Sequence, residues 1–236
     1  FSKSITQFPP EISPLYCEKG LGGRLWDIDG NRFVDLISGL ASVTIGYCDP
    51  EVNEAVIKQL GKGVTFSLSS KLEAEVAEMV CALVPSADMV RFAKNGSDVT
   101  SAAVRLARAF TSRDIILTSG YHGWHDWYLS ANLADDAGLD GHLLPGLQPN
   151  GVPRNLKGTV FPFNYNNYDE LEALVNTQDI GVIKMEVVRN KDPEDNFLHK
   201  VRKLATDRGI VLIFDECTSG FRETFGGLHK KYGVEP

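Results

Sequence analysis

Ile210-Val211-Leu212-Ile213-Phe214 runs straight into Asp215-Glu216. An apolar, β-branched run of this length, entered through Gly209, is satisfied only where both faces of the chain are covered. It therefore predicts a central strand of a sheet flanked by helices. The two carboxylates then fall at the carboxyl end of that strand. In open parallel α/β sheets ligands sit in the crevice outside those ends, so a carboxylate there either meets a ligand or simply caps the strand in solvent.

The same grammar repeats along the second half of the chain. Strands are expected at 89–93, 114–118, 158–161 and 180–187, with helices at 99–110, 168–175 behind an Asn167 cap, and 197–208. Strands separated in this way by helices imply an α/β fold, a mostly parallel sheet of right-handed βαβ units with helices on both faces. Upstream, residues 24–28 and 32–36 alternate about Asp29-Gly30-Asn31, the signature of a β-hairpin. Asp49-Pro50 supplies an N-cap and a first-turn proline for a helix over 50–60, and Ser70 with Glu73 forms a capping box that opens another, ending before Pro85. Residues 1–20 are Pro-rich and read as an extended arm, whereas 130–157, rich in Gly and Pro, read as a long surface excursion. The expected division is an N-terminal arm and hairpin over 1–48 and an α/β domain over 49–236.

A formal net charge of -7 over 236 residues argues against nucleic acid or an anionic membrane as the main partner. An anionic small molecule is still allowed, since it needs only a local positive site. Cys17, Cys48, Cys81 and Cys217 are scattered with no CxxC pair, which speaks against a zinc ribbon or disulfide framework and favours buried free thiols in a reducing cytoplasm. No apolar stretch is long enough for a membrane span, and the first ten residues lack a basic region followed by an apolar one, so neither an anchor nor a signal peptide is expected. The chain does not open on Met, which raises the expectation of residues upstream.

Three stretches carry candidate chemistry. Asn95-Gly96-Ser97-Asp98 lies between an expected strand and an expected helix, where Gly96 lets backbone approach a ligand and the helix start offers free N–H groups to a phosphate. A plain helix cap is the competing reading. Neither the dinucleotide nor the P-loop glycine fingerprint is present. Gly120-Tyr121-His122-Gly123-Trp124-His125-Asp126-Trp127 concentrates aromatics and histidines after a strand, suited to stacking on a planar heteroaromatic ligand or to forming a packed aromatic corner, and poorly suited to a metal. Finally, Glu186 closes a second run, 180–185, taken as an apolar strand, as Asp215 closes its own. Two strand-end acids can share a hydrogen-bond network, and a carboxylate beside a cationic ring nitrogen gains about 4 kcal/mol at roughly 4 Å for an effective dielectric near ~20.

Taken in order, these pieces resemble the class III aminotransferases of the fold type I pyridoxal-phosphate family, with greatest similarity to the glutamate-1-semialdehyde aminomutase group. The resemblance is carried by Leu25-Trp26-Asp27-Ile28-Asp29-Gly30-Asn31, Leu83-Val84-Pro85, Met89-Val90-Arg91, Asn95-Gly96-Ser97-Asp98-Val99-Thr100, Val104-Arg105-Leu106-Ala107-Arg108, Tyr121-His122-Gly123, and Phe214-Asp215-Glu216 followed by Gly220-Phe221-Arg222. It implies pyridoxal 5'-phosphate as cofactor, with Gly96 and Ser97 at its phosphate, Tyr121 stacked on its ring and His122 beside it. Asp215 would pair with the pyridinium nitrogen and Glu186 would support that network. Glu216 is expected to be structural. It also implies small-molecule amino donors and acceptors, a homodimer, and assignment of 1–48 to the small domain and 49–236 to an incomplete large domain.

The sequence departs from the family pattern in two places. The family's imine-forming lysine follows a strand beyond Tyr-Gly-Val-x-Pro, and this sequence ends on Tyr232-Gly233-Val234-Glu235-Pro236. That lysine is therefore expected past Pro236, and no lysine present stands in its context. The aminomutases also place an arginine for the substrate carboxylate near the start, where Ser4-Ile5-Thr6-Gln7 has none, which argues against glutamate semialdehyde as substrate. The expected activity is amino-group transfer through Schiff-base intermediates by the parent protein, as aminotransferase or aminomutase. The alternative is a non-catalytic relative that binds pyridoxal phosphate or a sugar nucleotide.

Overall fold

The computed structural model describes residues 16–134, 138, 139, 141, 146 and 148–236. The chain divides into two compact units, Phe1–Ser70 and Lys71–Pro236.

In the first unit Cys17–Leu21 (β1), Arg24–Asp27 (β2) and Arg32–Val34 (β3) form an antiparallel meander in the order β1-β2-β3. The hairpin expected about Asp29-Gly30-Asn31 is present, with Leu25 opposite Phe33. Its turn is tied by the Asp27 carboxylate, which accepts from Asp29 N at 3.0 Å, Asn31 N at 2.8 Å and Asn31 Nδ2 at 3.0 Å. The additional strand β1 falls inside the stretch expected to be an arm, while residues 1–15 lie outside the described residues. Helix α1 (Pro50–Leu60) belongs to this unit and begins as its sequence dictates. The Asp49 side chain accepts from Glu51 N and Val52 N, both at 3.1 Å, and Pro50 occupies the first turn, where its missing N–H costs nothing.

The second unit is an α/β sandwich, consistent with the expected fold class. Ile115–Ser119 (β4), Val160–Pro162 (β5), Ile180–Glu186 (β6) and Val211–Asp215 (β7) pair in parallel in the order β5-β4-β6-β7. Every residue of β6 is buried, as a strand covered on both faces requires. One face packs on helix α3 (Gly96–Thr111), where Val104 and Ala107 meet Ile116, Val160 and Val182. The other packs on α4 (Tyr168–Thr177) and α5 (Phe197–Asp207), whose Leu171, Val175, Leu198, Val201 and Ala205 meet Leu117, Ile183, Met185 and Leu212. Helix α2 (Lys71–Leu83) precedes this sandwich.

Five expectations need correction. The run 211–214, expected to be a central strand covered on both faces, forms β7 at the end of the described sheet, where Val211, Ile213 and Phe214 are only half-buried. The cysteines, expected to be buried, are exposed at Cys17, Cys48 and Cys217 and half-buried at Cys81. Residues 89–93 pair with none of the described strands, and Met89 is largely exposed. Asn95-Gly96-Ser97-Asp98 is a helix start instead of a separate loop. Asn95 Oδ1 accepts from Asp98 N at 3.0 Å, so Asn95 is the N-cap and α3 begins at Gly96. Nor is the 130–157 stretch wholly at the surface. Ser130, Ala131, Asn132, Leu139 and Val152 are buried, and Asn132 Oδ1 accepts from Leu139 N at 3.0 Å, so an apolar patch is anchored under polar turns. Residues 135–137, 140, 142–145 and 147 of that stretch lie outside the described residues.

Candidate active site at the carboxyl edge of the sheet

From β4 the chain crosses to β5 on one side, then returns past β4 to place β6 and β7 on the other. The order therefore reverses between β4 and β6, and the crevice outside the carboxyl ends of those strands is where such a sheet binds ligands. The loop leaving β4 carries Tyr121 and His122, β6 ends on Glu186, and β7 ends on Asp215, in register with Glu186. Four of the six residues expected to form the site thus come together at one edge.

Asp215 is the most heavily bonded of them. Its Oδ1 accepts from Cys217 N at 3.1 Å, and its Oδ2 meets both His122 Nδ1 at 2.9 Å and Lys184 Nζ at 2.6 Å. Burial pushes this carboxyl up, but the His122 hydrogen bond and the Lys184 charge outweigh burial and hold it far below the ordinary carboxylate value. Asp215 is therefore an anion at neutral pH. His122 is buried and its Nε2 lies 3.2 Å from Ser119 O. Burial pushes the imidazole below its usual value, opposed by the Asp215 hydrogen bond; the carboxylate can only accept, so Nδ1 carries a proton.

Glu186 holds the loop that follows β4. Its Oε2 accepts from Tyr121 N at 3.3 Å, while its Oε1 meets Arg189 Nη1 at 2.6 Å and Thr218 Oγ1 at 3.3 Å. Gly120 must be a glycine here: its φ is +107°, and a Cβ would be driven into the Glu186 carboxylate, 2.8 Å from Cγ. The Tyr121 ring meets Tyr128 edge-on with centroids 6.1 Å apart, and Tyr128 donates to Gly120 O at 2.7 Å. A hollow of about 280 Å³ opens beside this edge, lined by Ser119, Gly120, Tyr165, Glu186, Arg189 and Lys191. A larger one, about 580 Å³, lies in the first unit around Leu21, Trp26, Val34 and Tyr47, where no comparable set of paired titratable groups converges.

The start of α3 completes the edge. A Cβ on Gly96 would find Cys217 Sγ as its nearest neighbour at 3.9 Å, and a Cβ on Gly123 would stand 3.0 Å from His125 Nε2 and 3.3 Å from Ser97 Oγ. Gly96 and Ser97 therefore adjoin the β7 and β4 loops respectively. His125 Nε2 is buried with no hydrogen-bond partner among the described residues. No group of three or more His, Cys, Asp or Glu among them could hold a metal ion.

One residue of this edge, Lys184, is poorly legible in the sequence, whereas Glu216 has the structural role expected of it. Lys184 falls inside a run whose overall character is apolar, although a lone lysine two residues before Glu186 sits on the same face of the strand and is the available signal. Glu216, adjacent to Asp215, points to the other side and staples a distant loop: it accepts from Ser219 Oγ at 2.5 Å, Leu228 N at 2.8 Å, His229 N at 3.0 Å and His229 Nδ1 at 2.8 Å.

The family model for class-III aminotransferases matches residues 8–236. A 3-aminobutyryl-CoA aminotransferase of Cloacimonas acidaminovorans is 34% identical over 97% of this chain and 53% of its own length. A glutamate-1-semialdehyde 2,1-aminomutase of Citrifermentans bemidjiense is 38% identical over 94% of this chain and 53% of its own. Among solved structures, an omega-transaminase from Sphaerobacter thermophilus superposes with a TM-score of 0.85 at 30% identity, covering 100% of this chain and 55% of that one. A structure described as a transaminase with PLP bound gives 0.84 at 25% identity, covering 99% and 55%. The chain spans about half the length of the curated relatives it matches.

Proposed function

The chain belongs to the class-III aminotransferase family, and from that premise we propose that the whole protein is a pyridoxal-phosphate-dependent aminotransferase or aminomutase acting on small amino donors and acceptors. The observation that carries this reading is the half-buried, ionised Asp215 at the end of β7, bonded at both oxygens and standing by the switch-point crevice. The solved transaminase described with PLP bound supports the choice of cofactor.

The residues present fit that group. An anionic phosphate suits the start of α3, where the N–H groups of Gly96 and Ser97 have no intrahelical acceptor and the helix dipole favours negative charge. Gly96, where a Cβ would meet only Cys217 Sγ at 3.9 Å, lets a ligand approach the backbone, and the orphaned His125 Nε2 beside Gly123 and Ser97 supplies a further polar atom. Tyr121 is assigned to the face of the ring, Asp215 to its nitrogen, His122 to holding Asp215 in place, and Glu186 to fixing the backbone of the loop that carries Tyr121.

When bound, the cofactor supplies the electron sink for the substrate carbon. This chain's share is to bind and orient it and to keep a proton on its ring nitrogen, which an acceptor as weakly basic as Asp215 does by charge rather than by taking the proton itself. Lys184 is not a candidate for the imine-forming lysine, because its ammonium is committed to Asp215, which places it at the ring-nitrogen edge and away from the aldehyde. We place the whole protein in the cytoplasm as a homodimer. The free thiols of Cys17, Cys48, Cys81 and Cys217 and the net charge support the first, and widely exposed Leu36, Met89 and Phe110 support a surface covered by further protein. No helix among the described residues is long and apolar enough to cross a membrane.

Borohydride reduction of the full-length protein with pyridoxal phosphate, followed by peptide mapping, tests the reading. The expected result is one modified lysine beyond Pro236, with amino transfer from at least one member of a donor panel. Failure to bind the cofactor, or a modified lysine within these 236 residues, overturns it.

A further inference from the structure

Lys184 sits in the middle of a strand whose every residue is buried, and among the described residues no other lysine is buried. The register places it between Thr118 of β4 and Ile213 of β7, on the face whose neighbours Ile116, Val182 and Val211 pack toward α3. An Ile or Val would fill that position without desolvating a charge, as Val182 does on the same face. A lysine there is tolerated because its ammonium reaches along the face to Asp215 Oδ2 at 2.6 Å, the oxygen that also meets His122 Nδ1 at 2.9 Å. Burial pushes the lysine below its ordinary value, and the Asp215 charge opposes that push.

We propose that Lys184 is a positioning and tuning residue for the cofactor's ring nitrogen: it fixes the Asp215 carboxylate in orientation and shares its charge before the ring arrives. The proposal rests on the pyridoxal-phosphate reading above. A ring nitrogen paired with a free buried carboxylate feels a full negative charge and holds its proton strongly. Paired with a carboxylate already bonded to an ammonium, it feels a nearly neutral pair and holds its proton less strongly. Residue 184 thereby sets how readily the ring nitrogen gives up its proton, and so how strong an electron sink the bound ring can be, without touching the substrate.

The test uses full-length protein loaded with pyridoxal phosphate carrying ¹⁵N in the ring, whose chemical shift reports ring protonation as pH is varied. Lys184→Gln keeps a hydrogen-bond donor for Asp215 and removes the charge, and Lys184→Met removes both. The expected result is that both variants raise the apparent pKa of the ring nitrogen by about one unit, about tenfold in proton affinity, while Lys184→Arg leaves it near the wild-type value. An unchanged titration in Lys184→Gln overturns the inference, because a merely structural lysine would not move that signal. If Lys184→Gln and Lys184→Met both fail to fold with the cofactor present, Lys184 serves the fold alone and the inference fails as well. Wild-type protein that binds no pyridoxal phosphate sinks the cofactor reading itself, a separate result.

Discussion

His122 Nδ1 lies 2.9 Å from Asp215 Oδ2, joining two residues 93 positions apart in sequence at the ends of β4 and β7. A hydrogen bond to a buried carboxylate contributes roughly 1.5–3 kcal/mol, and removing one partner leaves the other unsatisfied. We expect His122→Ala to lower stability by about 2 kcal/mol and Asp215→Asn by a similar amount. The double variant should fall well short of the sum. Urea denaturation of the four proteins as a double-mutant cycle measures this coupling.

Gly120 is held at φ +107° with its α-carbon against the Glu186 carboxylate. Gly120→Ala adds a strained backbone and a steric conflict, so a loss of about 2 kcal/mol or more is expected. The loop bearing Tyr121 should loosen with it. A thermal melt reads the first effect, and increased amide exchange at 120–123 reads the second.

Ser97 is assigned to the phosphate and not to the ring. Ser97→Ala should therefore weaken binding of pyridoxal phosphate by about tenfold, the loss of roughly one charge-assisted hydrogen bond, and leave binding of unphosphorylated pyridoxal nearly unchanged. Equal losses for both ligands would move the phosphate elsewhere.

Glu216 gives the clearest dependence on pH. Burial raises its carboxyl, but bonds from Ser219, the His229 and Leu228 amides and the His229 ring bring it below its ordinary value of 4.5. A depressed folded value means stability that is fully present above 4.5 and lost as pH falls through the folded value. Acid titration followed by circular dichroism should show Glu216→Gln less stable than wild type at neutral pH. The difference should shrink as the pH drops below that ordinary value.

The fold is legible wherever a local signal and a burial pattern agree. Asp49-Pro50 and Asn167 cap the helices expected of them, and the run 211–214 does form a strand, although at the end of the described sheet and half-buried instead of central. The strand-end acids and Tyr121-His122 stand out because strand ends of a parallel sheet converge. What escapes depends on pairing across long separations. Residues 89–93 have strand composition but pair with none of the described strands, and β1 looks like an arm because its partner is set by register. Lys184 is hidden because hydrophobic pattern averages over a run, whereas its meaning comes from Asp215, 31 residues away on the neighbouring strand.

The account turns on Asp215 as the partner of the cofactor's ring nitrogen. A crystal structure of the full-length protein with pyridoxal phosphate tests it most directly. The account predicts the ring nitrogen within hydrogen-bond distance, about 2.7–3.0 Å, of an Asp215 oxygen, with the phosphate at the N–H groups of Gly96 and Ser97. A ring nitrogen facing solvent or another side chain, with Asp215 still closed on Lys184 and His122 alone, would contradict it.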